Sequence, residues 1–408
     1  MKQAAYVDRI ACVDLDAFFV EVALKKHPEM RGRPLAVCGS LSGRGVVCSA
    51  SYEARPFGVK SGLPVWKCKV LCPAIQLLEV PSEVKEYSDR VRARLRILSP
   101  VVETASIDEF YLDFRGCERI YPINLKLAGE ILSSIVEDPA LPCSIGFGRN
   151  KLVAKIASDI AKPCGVLEVF PGAEARFLSV LSVKCLPGVG PRFVTTLNEM
   201  GIHLIRDVLQ ISRDTWKTAF GMAGEKLYDQ AHGISEGKVV DDSLAEERRQ
   251  ISRETTLSQD TSSIEVLAEI LSHLVENAVY DLRKKGLTCS GASVKIRYSD
   301  FSSVSKSKTI ERTDRDDKIF PIALELFKKL YMKRMKIRLI GVKLFSLLKG
   351  GSNYTIDDFL QSFSGENILK SMDEIRSKHG KNSVMRARSL VSSKQFLRRS
   401  KKSKENEL

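Results

Sequence analysis

Clustered cysteines are missing from this chain. Its ten cysteines are scattered, and the one close pair, Cys68 and Cys72, has none of the five histidines near it. A structural zinc needs paired Cys/His clusters, so none is expected, and reduced, mostly buried thiols are. Long apolar runs are missing too. None approaches the roughly 18 residues of a membrane span, and no N-terminal stretch has the flanks of a signal peptide. These absences point to a soluble intracellular protein with no membrane partner. The first three-fifths also lack any charge excess: residues 1–247 hold 31 Lys+Arg and 31 Asp+Glu.

The basic excess that is present is therefore concentrated. The net charge is +14. Residues 248–350 hold 21 basic and 12 acidic residues, and residues 351–408 hold 12 and 7. A polyanion is the natural partner of such a C-terminal region. Hydrophobic residues make up 44% of the chain, enough for globular domains throughout. At 408 residues, two to four domains are expected.

Residues 8–16 read as a strand. Asp16 to His27 reads as a helix with Asp16 at its N-cap and Pro28 beyond its end. The turn "GSLSGRG" (39–45) leads into Val46-Val47-Cys48. Residues 101–114 are β-rich, 122–138 have helical periodicity, and 143–165 run strand, Gly turn, helix. This alternation suggests an α/β or α+β core. Residues 171–235 are mostly helical, and 240–250 is a polar linker. Beyond it come strand-like segments at 292–300 and 337–347 and amphipathic helices at 264–285 and 320–333. The final "RRSKKSKENEL" has the composition of a disordered tail.

The carboxylates carry the chemistry. Asp14 ends the first strand, and Asp108 and Glu109 follow 94 and 95 positions later in "SIDEF". Charges at the inner ends of strands are costly unless paired or holding a cation. Three carboxylates from neighbouring strands suit Mg²⁺ and two-metal phosphoryl transfer. Strict alternation sends Asp108 and Glu109 to opposite faces, so both reach one site only at a tight hairpin turn.

"VDLDAFFVEVA" (13–23), "SASYEARPFGVKSGLP" (49–64), "ASIDEFYLDF" (105–114), "AKIASDIAKPCG" (154–165) and "LPGVGPRFVTTLNEMGI" (186–202) stand here in one order. Together they closely resemble the Y-family of DNA polymerases, in its bacterial lesion-bypass branch. The resemblance runs from about residue 8 to 350. "MDEIRSKHGKNSVMRARSL" (372–390) is similar to a tail that many bacterial members carry.

The resemblance implies an α+β multidomain right-hand polymerase. The palm falls at 8–17 and 81–170, the fingers at 18–80, and a helical thumb at 171–239. A linker at 240–247 leads to an α/β little-finger domain at 248–350, followed by a partly disordered tail at 351–408. It implies template-directed, low-fidelity translesion synthesis without a proofreading exonuclease. Asp14, Asp108 and Glu109 match the catalytic acids, which with the Leu15 carbonyl would hold two Mg²⁺ ions, Mn²⁺ substituting. Phe18, Phe19, Ser49, Tyr52, Arg55 and Lys162 match nucleotide-binding positions, Phe19 being the steric gate against ribose. Phe18 itself reads as a core residue.

Gly188, Val189 and Gly190 fit a helix-hairpin-helix turn on DNA. Lys295, Arg297, Lys306 and Lys308 alternate along strands and are expected to share a DNA-tracking face. Primer-template DNA, dNTPs and the replication sliding clamp are the implied partners of a monomeric enzyme in the bacterial cytoplasm or nucleoid. The clamp peptide departs from the family pattern: "DDFLQSF" (357–363) keeps Phe359, Leu360 and Phe363 but lacks the leading Gln. Two rivals are a nucleotidyl cyclase, which needs neither the hairpin turn nor the basic C-terminal region, and a catalytically inactive DNA-binding scaffold, against which the intact acids and "SYEAR" stand.

Overall fold

The computed structural model describes residues 9–41, 44–117, 119–121, 124–242, 250–331, 335–350 and 356–390, and of 124, 125, 136 and 356–367 the backbone alone. The chain divides into two compact units, Met1–Ala245 and Glu246–Leu408.

The first unit opens with β1 (Ile10–Leu15), α1 (Phe18–Lys26), β2 (Leu35–Cys38), β3 (Val47–Ala50), α2 (Val65–Leu71) and β4 (Gln76–Glu79). It continues through α3 (Val84–Leu98), β5 (Val101–Thr104), β6 (Glu109–Asp113), α4 (Asn124–Glu137), β7 (Cys143–Gly148), α5 (Lys151–Ala161) and β8 (Val166–Glu168). Short helices follow: α6 (Glu174–Ser179), α7 (Pro191–Glu199), α8 (Ile205–Val208), α9 (Arg213–Phe220) and α10 (Met222–Ala231).

Five strands form one sheet in the order β5-β6-β1-β7-β8. All six residues of β1 are buried, because helices cover both faces of its sheet. Alternation sorts them. Ala11, Val13 and Leu15 pack with apolar residues of α3 and α4, whereas Ile10 and Cys12 pack with Tyr111 and with Ala154 of α5. Asp14 therefore falls on the α5 side. A Cβ at Gly146 of β7 would sit 2.1 Å from the Ala154 carbonyl oxygen, so only glycine lets α5 lie this close. That contact fixes where the lysines of α5 meet the sheet.

A smaller sheet, β3-β2-β4, has its own core of Ala36, Cys38, Val47, Val65, Cys68 and Cys72. The helices from α6 onward bury Leu178, Leu197, Ile205, Trp216 and Leu227, together with Leu152 and Ile156 of α5. The close pair Cys68 and Cys72 thus fills a core, as free buried thiols.

The second unit contains β9 (Gln250–Thr261), α11 (Ile264–Lys284), β10 (Leu287–Tyr298), β11 (Ser303–Thr313), α12 (Asp316–Leu330), β12 (Ile337–Lys349) and α13 (Ile356–His379). Its sheet runs β11-β10-β12-β9 and is antiparallel throughout. Ala292, Val294, Ile296, Ile340, Val342 and Leu344 share a core with α11 and α12. The periodicity that marks 264–285 as a helix is the apolar stripe Leu267, Leu271, Leu274, Val275, Ala278 and Leu282, all buried there.

The C-terminal segment is more structured than its composition suggests. Arg376 of α13 reaches Glu276 of α11 at 2.8 Å, with both side chains almost wholly buried. Asp373 pairs with Arg283 at 2.6 Å, and Ser389 Oγ donates to Glu276 at 2.7 Å. Tertiary ion pairs thus anchor residues 373–389, and no local hydrophobic pattern announces them. The disorder expected of the terminal "RRSKKSKENEL" falls outside the described residues, as does most of the 240–247 linker.

Candidate active site

β1 and β6 pair antiparallel, with Asp14 directly opposite Glu109. Directly opposed residues share a face, so both carboxylates point toward α5. Asp108 lies in the β5–β6 hairpin connection, where its carbonyl accepts from the Leu15 amide at 2.9 Å. Its carboxylate is engaged by the Ser106 hydroxyl.

Lys155 of α5 stands between the two facing acids. Its Nζ lies 2.5 Å from Asp14 Oδ2 and 2.7 Å from Glu109 Oε2. Lys162 reaches the other Asp14 oxygen at 2.9 Å, and both lysines contact Asp159. Burial pushes the Asp14 carboxyl above its usual range, against the pull of the two lysines. Burial also opposes the Lys155 charge, yet Asp14 and Glu109 outweigh it and hold the ammonium protonated. This is a buried anionic corner that demands cations.

Those acids form the floor of a cleft of about 460 Å³. Ala17, Phe18 and Phe19 line one side, and Cys48, Ser49, Ala50, Arg55, Lys60 and Ser61 close it from the smaller sheet. Phe18 is 2% exposed and belongs to the main core, while Phe19 is half-buried and tilts against it at a centroid distance of 5.6 Å. The Arg55 guanidinium stacks on the Tyr52 ring at 3.9 Å, and its Nε donates to the Ala50 carbonyl. The stack keeps the forked donors of Arg55 beside the cleft.

Asp16 is not a helix cap. The N-cap of α1 is Ala17, in left-handed backbone (φ 44°), and no side chain caps the helix. The Asp16 carboxylate turns inward instead. It accepts from Tyr52 OH at 2.9 Å, Ser144 Oγ at 2.8 Å and the Cys164 amide at 2.9 Å. Three charge-assisted bonds outweigh one cap and offset the cost of the Ala17 conformation, about 1–2 kcal/mol. Asp16→Ala, which strands these donors, is expected to cost about 3 kcal/mol. A denaturant midpoint shifted at constant m would show it; a loss below about 1 kcal/mol contradicts the assignment.

The cation corner can be tested for its fit to Mg²⁺. All the donors are oxygens, as a hard cation requires. A positive group, the Lys155 ammonium, already bridges Asp14 and Glu109, so the corner accepts a cation between these two carboxylates. As the side chains stand, Asp108 turns to Ser106, and among the described residues no three acidic, histidine or cysteine groups close on one point. The donor set fits; its closure requires Asp108 to leave Ser106.

Lys155 is absent from the sequence expectations although it touches two of the three acids. Its signal was one lysine within the apolar run of α5, at i,i+4 from Asp159, which reads equally as a surface ion pair.

The other predicted contacts are placed as follows. Gly188 adopts φ 90° in the turn before α7, Val189 packs on the helical core, and Gly190 is the N-cap of α7. The four basic residues of the second unit do not share a face. Lys306 pairs with Val294 and Lys308 with Ala292, both core positions, so these lysines lie on the helix side, where Lys308 meets Glu325 of α12 at 2.9 Å. Lys295 and Arg297 are on the opposite face, joined there by Lys343, which is opposite Ser293. Lys295 is partly neutralised by Glu254 at 3.0 Å. Phe359, Leu360 and Phe363 fall where the side chains of α13 lie outside the described residues.

Comparison with known proteins agrees with this architecture. Residues 13–159 match the impB/mucB/samB family and residues 248–357 its C-terminal domain, while residues 184–235 match the thumb domain of DNA polymerase-iota. DNA polymerase IV of Dehalococcoides mccartyi strain CBDB1 is 34% identical over 385 residues, covering 94% of this chain and 97% of that protein. DNA polymerase IV of Methanoculleus marisnigri is 35% identical over 353 residues, covering 85% and 97%. Among solved structures, a Y-family DNA polymerase chimera of Dbh and Dpo4 superposes with a TM-score of 0.74 at 29% identity, covering 84% of this chain and all of that one. The insertion ternary complex of Dbh DNA polymerase matches at 0.60 and 28%, with the same coverage.

Proposed function

The chain belongs to the impB/mucB/samB family of Y-family DNA polymerases and is a DNA-directed DNA polymerase; from that premise we propose that it performs low-fidelity translesion synthesis by two-metal-ion nucleotidyl transfer, without proofreading. One observation carries the catalytic part: Asp14 and Glu109 face each other at the end of β1 and β6, with a cation already drawn between them. Asp14, Asp108, Glu109 and the Leu15 carbonyl would hold Mg²⁺, with Mn²⁺ as a substitute. When bound, such a metal pair activates the primer 3′-hydroxyl and offsets charge on the departing pyrophosphate.

The remaining steps belong to the protein's own residues. Arg55 and Tyr52 would hold the triphosphate from above, Arg55 through its fork and Tyr52 through its hydroxyl, which must exchange Asp16 for phosphate. Lys162 and Lys155 sit on the floor and would move from carboxylate to phosphate as nucleotide enters. Val46 and Cys48 would lie over the nascent base pair, Cys48 lining the cleft; both are modest in size but not minimal, and Ser49 beside them would contact the nucleotide. Palm, fingers, thumb and little finger are proposed at the boundaries given from sequence. Clamp docking through Phe359, Leu360 and Phe363, DNA contact at Gly188–Gly190, a monomeric state and a cytoplasmic location belong to the same proposal. No described helix is long and apolar enough to cross a membrane.

Primer extension by all four dNTPs, on an intact template and on one carrying an abasic site, tests the reading. Products that pass both support it; products on neither contradict it.

The second unit would track DNA with its open sheet face. Replacing Arg297 and Lys343 together by alanine is expected to lower the slope of log affinity against log salt by about 1.8, roughly 0.9 for each lost phosphate contact. The paired replacement of Lys306 and Lys308, on the helix face, should change it less. The reverse ranking would move the DNA to the other face.

A further inference from the structure

The smaller sheet exposes an aromatic platform that the catalytic cleft does not use. Trp66 is 60% exposed on α2, and Val70, one turn on, is 70% exposed; Phe57 and Leu71 extend the apolar surface. The opposite side of α2, Val65 and Cys68, fills the core of that sheet, so Trp66 and Val70 are not needed for packing.

The platform is continuous with the cleft. Cys48 of the edge strand β3 lines the cleft, and Val46, just before that strand, is half exposed. Val46 is bridged to Pro64, and the Val65 amide donates to the Gly45 carbonyl at 3.0 Å. α2 therefore starts where the roof of the cleft ends, one residue before Trp66. Residues 54–78 also carry Arg55, Lys60, Lys67 and Lys69 and no acidic residue. Exposed aromatic surface among lysines is the chemistry of single-stranded nucleic acid binding, with bases stacking while cations meet the backbone. Both observations favour one occupant.

We propose that Trp66 is a stacking platform for an unpaired template base just outside the cleft, with Lys67 and Lys69 beside the adjoining phosphates. This rests on the polymerase reading and adds a binding position to it. Paired DNA covers both faces of every base except at its terminal pair, so stacking along the platform favours the single-stranded overhang.

The chain supplies its own probe. It has two tryptophans, and Trp216 is 1% exposed with its indole N–H held by the Val208 carbonyl at 2.9 Å, so Trp66 is the one a surface ligand can touch. The full chain is titrated with two primer-templates of identical paired sequence, one blunt and one with an unpaired template overhang. The overhang is expected to tighten binding about tenfold and to quench tryptophan fluorescence. Trp66→Ala should lose both the gain and the quench, keep its affinity for the blunt duplex, and fold normally, since the ring is exposed; Trp66→Phe should keep most of the gain. An overhang gain that survives in Trp66→Ala, or equal quenching by blunt DNA, overturns the proposal and leaves the patch to a protein partner. If wild type binds neither DNA, the polymerase reading falls and this inference falls with it.

Discussion

Asp108→Ala and Glu109→Ala are each expected to abolish primer extension, by at least about 10³-fold, while primer-template binding survives. Glu109 faces Asp14 across the β1–β6 pair and shares the Lys155 ammonium with it. Without Glu109 the corner keeps its lysines but loses half of its paired anion, and a divalent cation would be held one ligand short. Asp108 acts from the hairpin, anchored through the bond from Leu15 to its carbonyl. That backbone bond survives substitution, so the variant keeps its fold and loses only the carboxylate. DNA affinity should persist because the basic excess lies in the second unit. Steady-state extension and binding by anisotropy, run on the same preparations, separate the two effects. Near-normal extension by either variant would remove that residue from the site.

Phe19→Ala is expected to raise ribonucleotide incorporation relative to deoxynucleotide by about 3–4 kcal/mol, a few hundred-fold. Phe19 lines the cleft in the first turn of α1, held by the Phe18 ring behind it. Its ring would pack on the sugar of the incoming nucleotide. A 2′-hydroxyl there meets carbon with no partner, adding an unpaired polar group to a steric clash. Alanine removes both penalties, and deoxynucleotide use should change far less. Phe18 is the built-in control: it is 2% exposed in the main core, so Phe18→Ala is expected to lower stability rather than change sugar choice. The ratio of kcat/KM for dNTP and rNTP decides the matter. A ratio unchanged in a folded, active Phe19→Ala enzyme would leave Phe19 as packing alone.

What could be read from the sequence was what local pattern encodes. The run into Asp14 announced a buried strand, and the alternation of acids around "SIDEF" required a bend, which the β5–β6 hairpin supplies. The apolar stripe of α11 announced a helix to within a residue or two. Features set by tertiary partners were not legible. Asp16 sits where caps sit, but its donors come from residues 52, 144 and 164, and no local rule weighs them. Lys155 looks like half of a surface ion pair until the glycine contact at Gly146 presses α5 onto β1.

The four basic residues of the second unit teach the same lesson about register. Each pair alternates correctly within its own strand. The faces nevertheless differ, because β10 and β11 pair residue 294 with 306 and 292 with 308, matching even numbers with even. Residues 295 and 297 are odd, so they lie on the other side. Only the pairing itself, absent from a single strand's pattern, supplies that parity. Lys343 was missed for the same reason: it joins Arg297 through β12, a neighbour that becomes visible only in the sheet.

We propose that the end of β1 and β6 is a divalent-cation site on which template-directed phosphodiester formation depends. Single-nucleotide incorporation by the wild-type chain, with each of the four templating bases in turn and Mg²⁺ varied from chelated to excess, tests it most directly. The complementary deoxynucleotide is expected to add opposite each base, at a rate that rises with Mg²⁺ and vanishes with chelator. Addition that persists without divalent cation, or the absence of any addition with either Mg²⁺ or Mn²⁺, would contradict it.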